Sequence, residues 1–165
     1  MDQSLLFIWI AIAAYASTNM DNLLVLLVFF SDKSFNAREI IIGEYLGILA
    51  LLAVSVTAAF TASFVPAGWI GLMGLLPLTI GIRKLLIIRR EPGEDDTKQY
   101  QVEKTSFLKL THSRILAVAL VTISNGGDNV GVYVPLFASS GHPRTLVLVL
   151  IFLALTGLWC AAAYY

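Results

Sequence analysis

Two short motifs hold the residues of this chain best suited to chemistry. Asp21-Asn22 and Asp128-Asn129 each place a carboxylate beside an amide inside a long apolar stretch. A carboxylate in the hydrocarbon of a membrane costs roughly 3 kcal/mol on insertion scales and more in simulations, so such a residue marks an ion path by default. Each Asp is followed by an amide oxygen that can replace part of a cation's water shell, which points to a site for a divalent cation.

The residues before each Asp weaken a helix at the same place. Gly126-Gly127 lowers helix propensity, and Ser17-Thr18-Asn19 offers side chains that compete with the backbone ladder. Backbone unwound at that depth survives only where it lines a cavity or is buried in protein, and its freed carbonyls can coordinate cations. The expected site is therefore anionic and rich in oxygen: Asp21, Asn22, Asp128 and Asn129, with Asn19, Asn125 and Thr18 as helpers. Two polar residues serving only as hydrogen-bond glue between helices would not need paired Asp-Asn motifs and a Gly-Gly break.

These motifs are copies. Shifted by 107 positions, Ser17, Asp21, Asn22, Val25 and Phe30 fall on Ser124, Asp128, Asn129, Val132 and Phe137. About 20 apolar residues cross a bilayer core as a helix, and five such runs are present: Leu5 to Phe30, Ile40 to Phe64, Trp69 to Ile88, Ile115 to Phe137 and Leu146 to Tyr165. Three spans separate the start of the first copy from that of the second, so the fourth span runs opposite to the first. That is the pattern of inverted-topology transporters. The expected fold is an all-α membrane protein, a polytopic helical bundle of 3+3 inverted-repeat architecture with five spans present and a sixth missing. Residues 1–165 form one transmembrane domain: 5–88 the first three-helix repeat, 89–114 a cytoplasmic loop, and 115–165 a second repeat that looks truncated.

Composition agrees with membrane burial. Hydrophobic residues make up 58% and charged residues 13% of the 165, and eleven basic side chains balance eleven acidic ones, so nothing suggests a nucleic-acid face. A single cysteine, Cys160, excludes an intrachain disulfide and a Cys-rich metal site. Cys160 and Met20 read as apolar filler, and His112 and His142 fall in loops on opposite sides, where they cannot share a metal. The N-terminal Met-Asp-Gln-Ser is acidic where a secretory signal would be basic. Placing the loops at Ser31 to Glu39 and Arg83 to Arg114 in the cytoplasm puts ten of the eleven basic residues inside, with the N-terminus outside.

Glu44 lies five residues into the second span, within Gly43-Glu44-Tyr45-Leu46-Gly47. It is open to two readings, a proton-coupling group or a side chain that snorkels to the cytoplasmic surface. Gly43 and Gly47 have the spacing for close helix packing, and Gly71, Gly74, Pro77 and Gly81 suit packing and a kink in the third span. The acidic stretch from Glu91 to Asp96 reads as solvated loop.

At these residues the chain resembles the cadmium resistance transporter family of the LysE-like exporter superfamily. The likeness runs through the Asp-bearing first span, Gly43-x-Tyr45-Leu46-Gly47, Phe64-Val65-Pro66 with Trp69, and most specifically Asn125-Gly126-Gly127-Asp128-Asn129-Val130-Gly131 with Pro135-Leu136-Phe137. It implies a bacterial inner-membrane protein that exports a divalent metal ion, cadmium by family name, with the Asp-Asn motifs in its path and no resident cofactor. The resemblance also leads one to expect six spans, and glutamine at the position of Glu44. Oxygen donors alone suit manganese, magnesium or calcium better than cadmium. A cation channel is the alternative. An intramembrane aspartyl protease is a weaker one, since Met20-Asp21 and Asn125-Gly126-Gly127-Asp128 match neither its Tyr-Asp nor its Gly-x-Gly-Asp signature.

Overall fold

The computed structural model describes residues 3–62, 79, 82–83, 105–107, 111 and 113–165. Six helices have their bounds there: α1 (Gln3–Thr18), α2 (Met20–Phe30), α3 (Ala37–Ala62), α4 (Arg114–Asn125), α5 (Gly127–Ser140) and α6 (His142–Tyr164). The expected third span and the acidic stretch of the long loop fall outside the described residues, apart from isolated positions.

Helices α3 and α6 are each long and apolar enough to cross a membrane. The first and fourth expected spans are present as bent pairs. α1 meets α2 at 57° across Asn19, and α4 meets α5 at 66° across Gly126, so the described residues supply two continuous spans, or four if each bent pair is one span. Asn19 and Gly126 are themselves 107 positions apart. Their backbones agree, with φ −110° and ψ 17° at Asn19 against φ −84° and ψ 16° at Gly126.

The helix ends follow local chemistry. At the start of α3 the Glu39 carboxylate reaches back to the backbone N–H of Asn36 (2.8 Å), one half of a capping box. Ser113 caps α4 by accepting from the N–H of Leu116. Between α5 and α6 the chain turns at Gly141, whose φ of 72° and ψ of 160° belong to a region essentially reserved for glycine. His142, expected in a loop, is instead the first residue of α6, because Gly141 completes the turn alone and Pro143 is preset for a helix's first turn.

Two apolar clusters stack along the bundle. One gathers Ala11, Tyr15, Ile48, Leu52, Tyr133, Phe137, Leu148 and Phe152; the other gathers Val25, Leu26, Phe29, Ile40, Val118, Val121 and Cys160. The two bent pairs, α3 and α6 each pass from one to the other through buried polar residues: Thr18, Asn19 and Asn22 in the first bent pair, Glu44 in α3, Thr122 and Asn129 in the second bent pair, and Thr156 in α6. The core is thus two greasy ends with a polar layer between them. The first bent pair crosses it from the Tyr15 cluster to the Val25 cluster, and the second crosses in the reverse order. The outer surface is apolar, with Trp9, Leu24, Val54, Phe60, Leu146, Leu150 and Leu158 exposed, as a lipid-facing exterior requires.

Small residues bring α4 onto α3. A Cβ added at Gly43 would sit 2.6 Å from the carbonyl oxygen of Ile115 and from Val118 Cβ, and one added at Gly47 would sit 2.6 Å from Thr122 Cβ. Gly43 and Gly47 are therefore contact surfaces, as their spacing suggests. Gly126 is closed on its side by the Leu51 side chain, which occupies the place of a Cβ.

Candidate functional site

Side chains from all six of these helices meet in the polar layer. Asn19 is wholly buried and its amide hydrogens are shared among three acceptors: the Tyr133 hydroxyl (2.7 Å), the Tyr15 carbonyl (2.9 Å) and Thr18 Oγ1 (3.1 Å). Its own Oδ1 accepts from Asn129 Nδ2 at 3.2 Å, so the two breaks are joined by an amide pair. The Asn19 backbone carbonyl accepts from Trp159 Nε1 (2.8 Å) and from the N–H of Leu23 (3.1 Å).

One helical turn further on, Asn22 Nδ2 donates to Glu44 Oε1 at 2.6 Å, and Thr122 Oγ1 donates to Glu44 Oε2 at 2.8 Å. Glu44 has no exposed surface. The structure rejects the snorkelling reading: α4, drawn in by Gly43 and Gly47, lies over this side chain and gives it partners inside the bundle.

Among the described residues, two buried side-chain atoms have no hydrogen-bond partner. They are Asn22 Oδ1 and Asn129 Oδ1, the carbonyl oxygens of the two amides related by the 107-residue shift. Each amide uses its nitrogen in a hydrogen bond, to Glu44 and to Asn19, and leaves its oxygen bare. A buried acceptor left unmade costs about 1–3 kcal/mol. The same penalty at two equivalent positions is better explained by an occupant than by accident.

Asp21 and Asp128 lie at equivalent positions in the first turns of α2 and α5, both half-buried. Negative side chains there are favoured by the helix dipole. Asp128 Oδ1 accepts from the N–H of Asn129 at 3.0 Å. Asn125, half-buried, ends α4, and Thr18 is buried with its hydroxyl donating to Ala14 O (3.1 Å) and Tyr15 O (3.3 Å). The carbonyls expected to be freed at the breaks are largely occupied. Besides the bonds at Tyr15 and Asn19, Thr122 O accepts from Gly126 N–H (2.9 Å) and Gly126 O from Val130 N–H (3.3 Å). The oxygens on offer therefore belong to side chains.

Among the described residues, no three His, Cys, Asp or Glu groups converge as a ready metal cage. The donor set is amide and carboxylate oxygen, which suits a cation that enters partly hydrated better than a permanent structural ion. Cys160 is buried in the apolar cluster with Val25 and Val118, within electrostatic reach of Glu44, and Met20 is exposed.

Thr122, Tyr15, Tyr133, Thr156 and Trp159 belong to this network and stand out by no motif. A signal for two of them is nevertheless present: Tyr15 and Thr122 are also 107 positions apart, each four residues before a break. Tyr15 bonds Thr156 of α6 (2.9 Å), and Thr122 bonds Glu44 of α3.

A helical bundle with an apolar exterior, two spans broken at equivalent points and a buried polar layer defines a multi-pass membrane protein. Its family follows from comparison of the whole chain: residues 15–164 match the family model for cadmium resistance transporters, and the chain belongs to that family. No curated protein and no solved structure gives a significant match.

Proposed function

We propose that this protein is a secondary transporter that exports a divalent heavy-metal cation, such as cadmium, across the bacterial inner membrane and so confers metal resistance. The cation is received between the two broken spans by Asp21, Asn22, Asp128 and Asn129, with Asn19, Asn125 and Thr18 supporting it. The observation that carries this reading is the pair of bare, buried carbonyl oxygens, Asn22 Oδ1 and Asn129 Oδ1. A cation between the breaks would satisfy both at once, and the half-buried aspartates one residue before them would offset its charge.

Alternating access fits a 3+3 inverted repeat, in which two halves rock about a fixed site. The opposite order in which the bent pairs cross the two apolar clusters supports that relation. The topology has the N-terminus outside, with the loops before α3 and before α4 both cytoplasmic. An ion pair between Glu39 and Arg114 (3.6 Å), at the starts of those two helices, supports a common side for them. Residue chemistry favours a hard ion, and the family name is what points to cadmium.

The test is Cd2+ uptake into everted vesicles from bacteria that express the full-length gene. Asp21→Asn, Asp128→Asn, Asn22→Leu and Asn129→Leu each abolish uptake without lowering membrane abundance, whereas Leu24→Ile, on the lipid-facing surface, leaves it unchanged. Uptake at the parent's rate by either Asp variant would remove the paired-carboxylate site.

A further inference from the structure

We propose that Glu44 is itself a cation ligand, and that its carboxylate with the bare carbonyl oxygen of Asn22 forms a subsite for a divalent cation beside α4. The inference rests on the transport reading above and names the group that meets the cation in the most buried part of the layer.

Glu44 is fully buried, and both of its hydrogen-bond partners are neutral: the Asn22 amide and the Thr122 hydroxyl. Every Lys and Arg among the described residues is exposed, so none of them supplies a counter-charge at this depth. A buried carboxylate without a cationic partner is costly. Each of its oxygens accepts one bond and keeps a lone pair free for a further ligand.

The neighbouring amide discriminates between the two things that could neutralise it. With the Asn22 amide oriented as it is, nitrogen on the carboxylate, a proton on Glu44 would leave Asn22 Oδ1 as bare as before. A metal ion reaching both groups satisfies the carboxylate and the carbonyl together. The orientation of the Asn22 amide is fixed by its bond to Glu44, which holds the nitrogen on the carboxylate and leaves the oxygen free beside it. Beside Glu44 the backbones of α3 and α4 are in close contact: Thr122 Cβ lies where a Cβ of Gly47 would be, and Val118 lies against Gly43. The bare oxygen of Asn22 places the subsite on the side of Glu44 that faces the first bent pair.

At the position equivalent to Glu44 under the 107-residue shift, α6 carries Ile151. Correspondingly Tyr15, four residues before the first break, meets the hydroxyl of Thr156 on α6 instead of a carboxylate. The subsite thus makes the two halves chemically unequal, with the stronger ligand placed on α3.

The experiment measures Cd2+ binding by calorimetry on the full-length protein in lipid nanodiscs, with folding checked by monodisperse elution. Glu44→Gln keeps size and hydrogen-bonding capacity but removes the charge, and it weakens Cd2+ binding on the order of 100-fold, the upper end of what even an outer partner of a metal ligand costs. Glu44→Asp keeps the charge but withdraws it by one methylene, and gives an intermediate affinity. Glu39→Gln, at the surface, binds like the parent. If Glu44→Gln binds Cd2+ as tightly as the parent while Asp21→Asn or Asp128→Asn does not, the subsite is wrong and the transport reading stands. If the parent shows no saturable Cd2+ binding, the transport reading itself falls. Should Glu44→Gln fail to elute as a folded protein, Glu44→Asp decides, and parental affinity in that variant overturns the proposal.

Discussion

The two breaks occupy the same place in the repeat but are built by opposite means. At Asn19 the chain is stitched: one amide makes four hydrogen bonds, and Trp159 holds the backbone carbonyl. At Gly126 there is no side chain, and the gap is closed by Leu51 from α3. Similar backbone angles are reached in the first case by satisfying polar groups and in the second by removing a Cβ. The first break is therefore held by polar bonds that a conformational change could exchange, while the second is held by shape against α3.

The largest expected effect lies on the shape-held side. Gly43→Val would drive branched carbons into the Ile115 carbonyl and Val118, and overpacking of this kind costs about 3 kcal/mol at its upper end. The thermal unfolding midpoint of the purified protein should fall sharply. Gly127→Ala, whose added methyl meets nothing within 4 Å, should leave it nearly unmoved. Equal midpoints for the two variants would show that close approach of α4 to α3 does not hold the second break in place.

On the stitched side, Asn19→Ala removes the donor to Tyr133 and the acceptor for Asn129 Nδ2. Leaving such buried groups unmade costs about 2 kcal/mol. The midpoint should fall by less than in Gly43→Val, and Cd2+ uptake should be lost as well, because Asn129 loses the partner that orients its oxygen. A variant with a lowered midpoint and intact uptake would make Asn19 a structural stitch alone.

Much of this contrast is legible in the sequence. The 107-residue shift places both breaks, and the low helix propensity of Gly126-Gly127 and the competing side chains of Ser17-Thr18-Asn19 give the reason for each. The match to cadmium resistance transporters over residues 15–164 agrees with the resemblance carried by the Asn125 to Gly131 stretch. The environment of Glu44 is not legible. Counted along its own helix it lies near an end, and its place in the polar layer comes from neighbours on α2 and α4 that are distant in sequence. The bonds Tyr15–Thr156, Asn19–Tyr133 and Thr122–Glu44 join residues 141, 114 and 78 positions apart, a pairing that no local pattern encodes.

The smallest effect separates the two halves at a single bond each. Four residues before its break, Thr122 donates to a carboxylate; at the equivalent position Tyr15 meets a threonine hydroxyl. Thr156 Oγ1 already donates to Phe152 O at 2.9 Å, so it accepts from the Tyr15 hydroxyl and keeps a partner when that hydroxyl is removed. Thr122→Val preserves the Cβ packed on Gly47 but takes the hydroxyl donor from Glu44 Oε2. Hydrogen bonds to charged groups contribute about 1.5–3 kcal/mol and neutral ones about 1. Thr122→Val should therefore lower the unfolding midpoint more than Tyr15→Phe, by a difference of about 1 kcal/mol, and saturating Cd2+ should narrow that difference because the metal takes over the charge that Thr122 helps to hold. Equal losses in the two variants, with or without Cd2+, would mean that the carboxylate adds nothing beyond a neutral bond, and the chemical inequality of the halves would then have no energetic content.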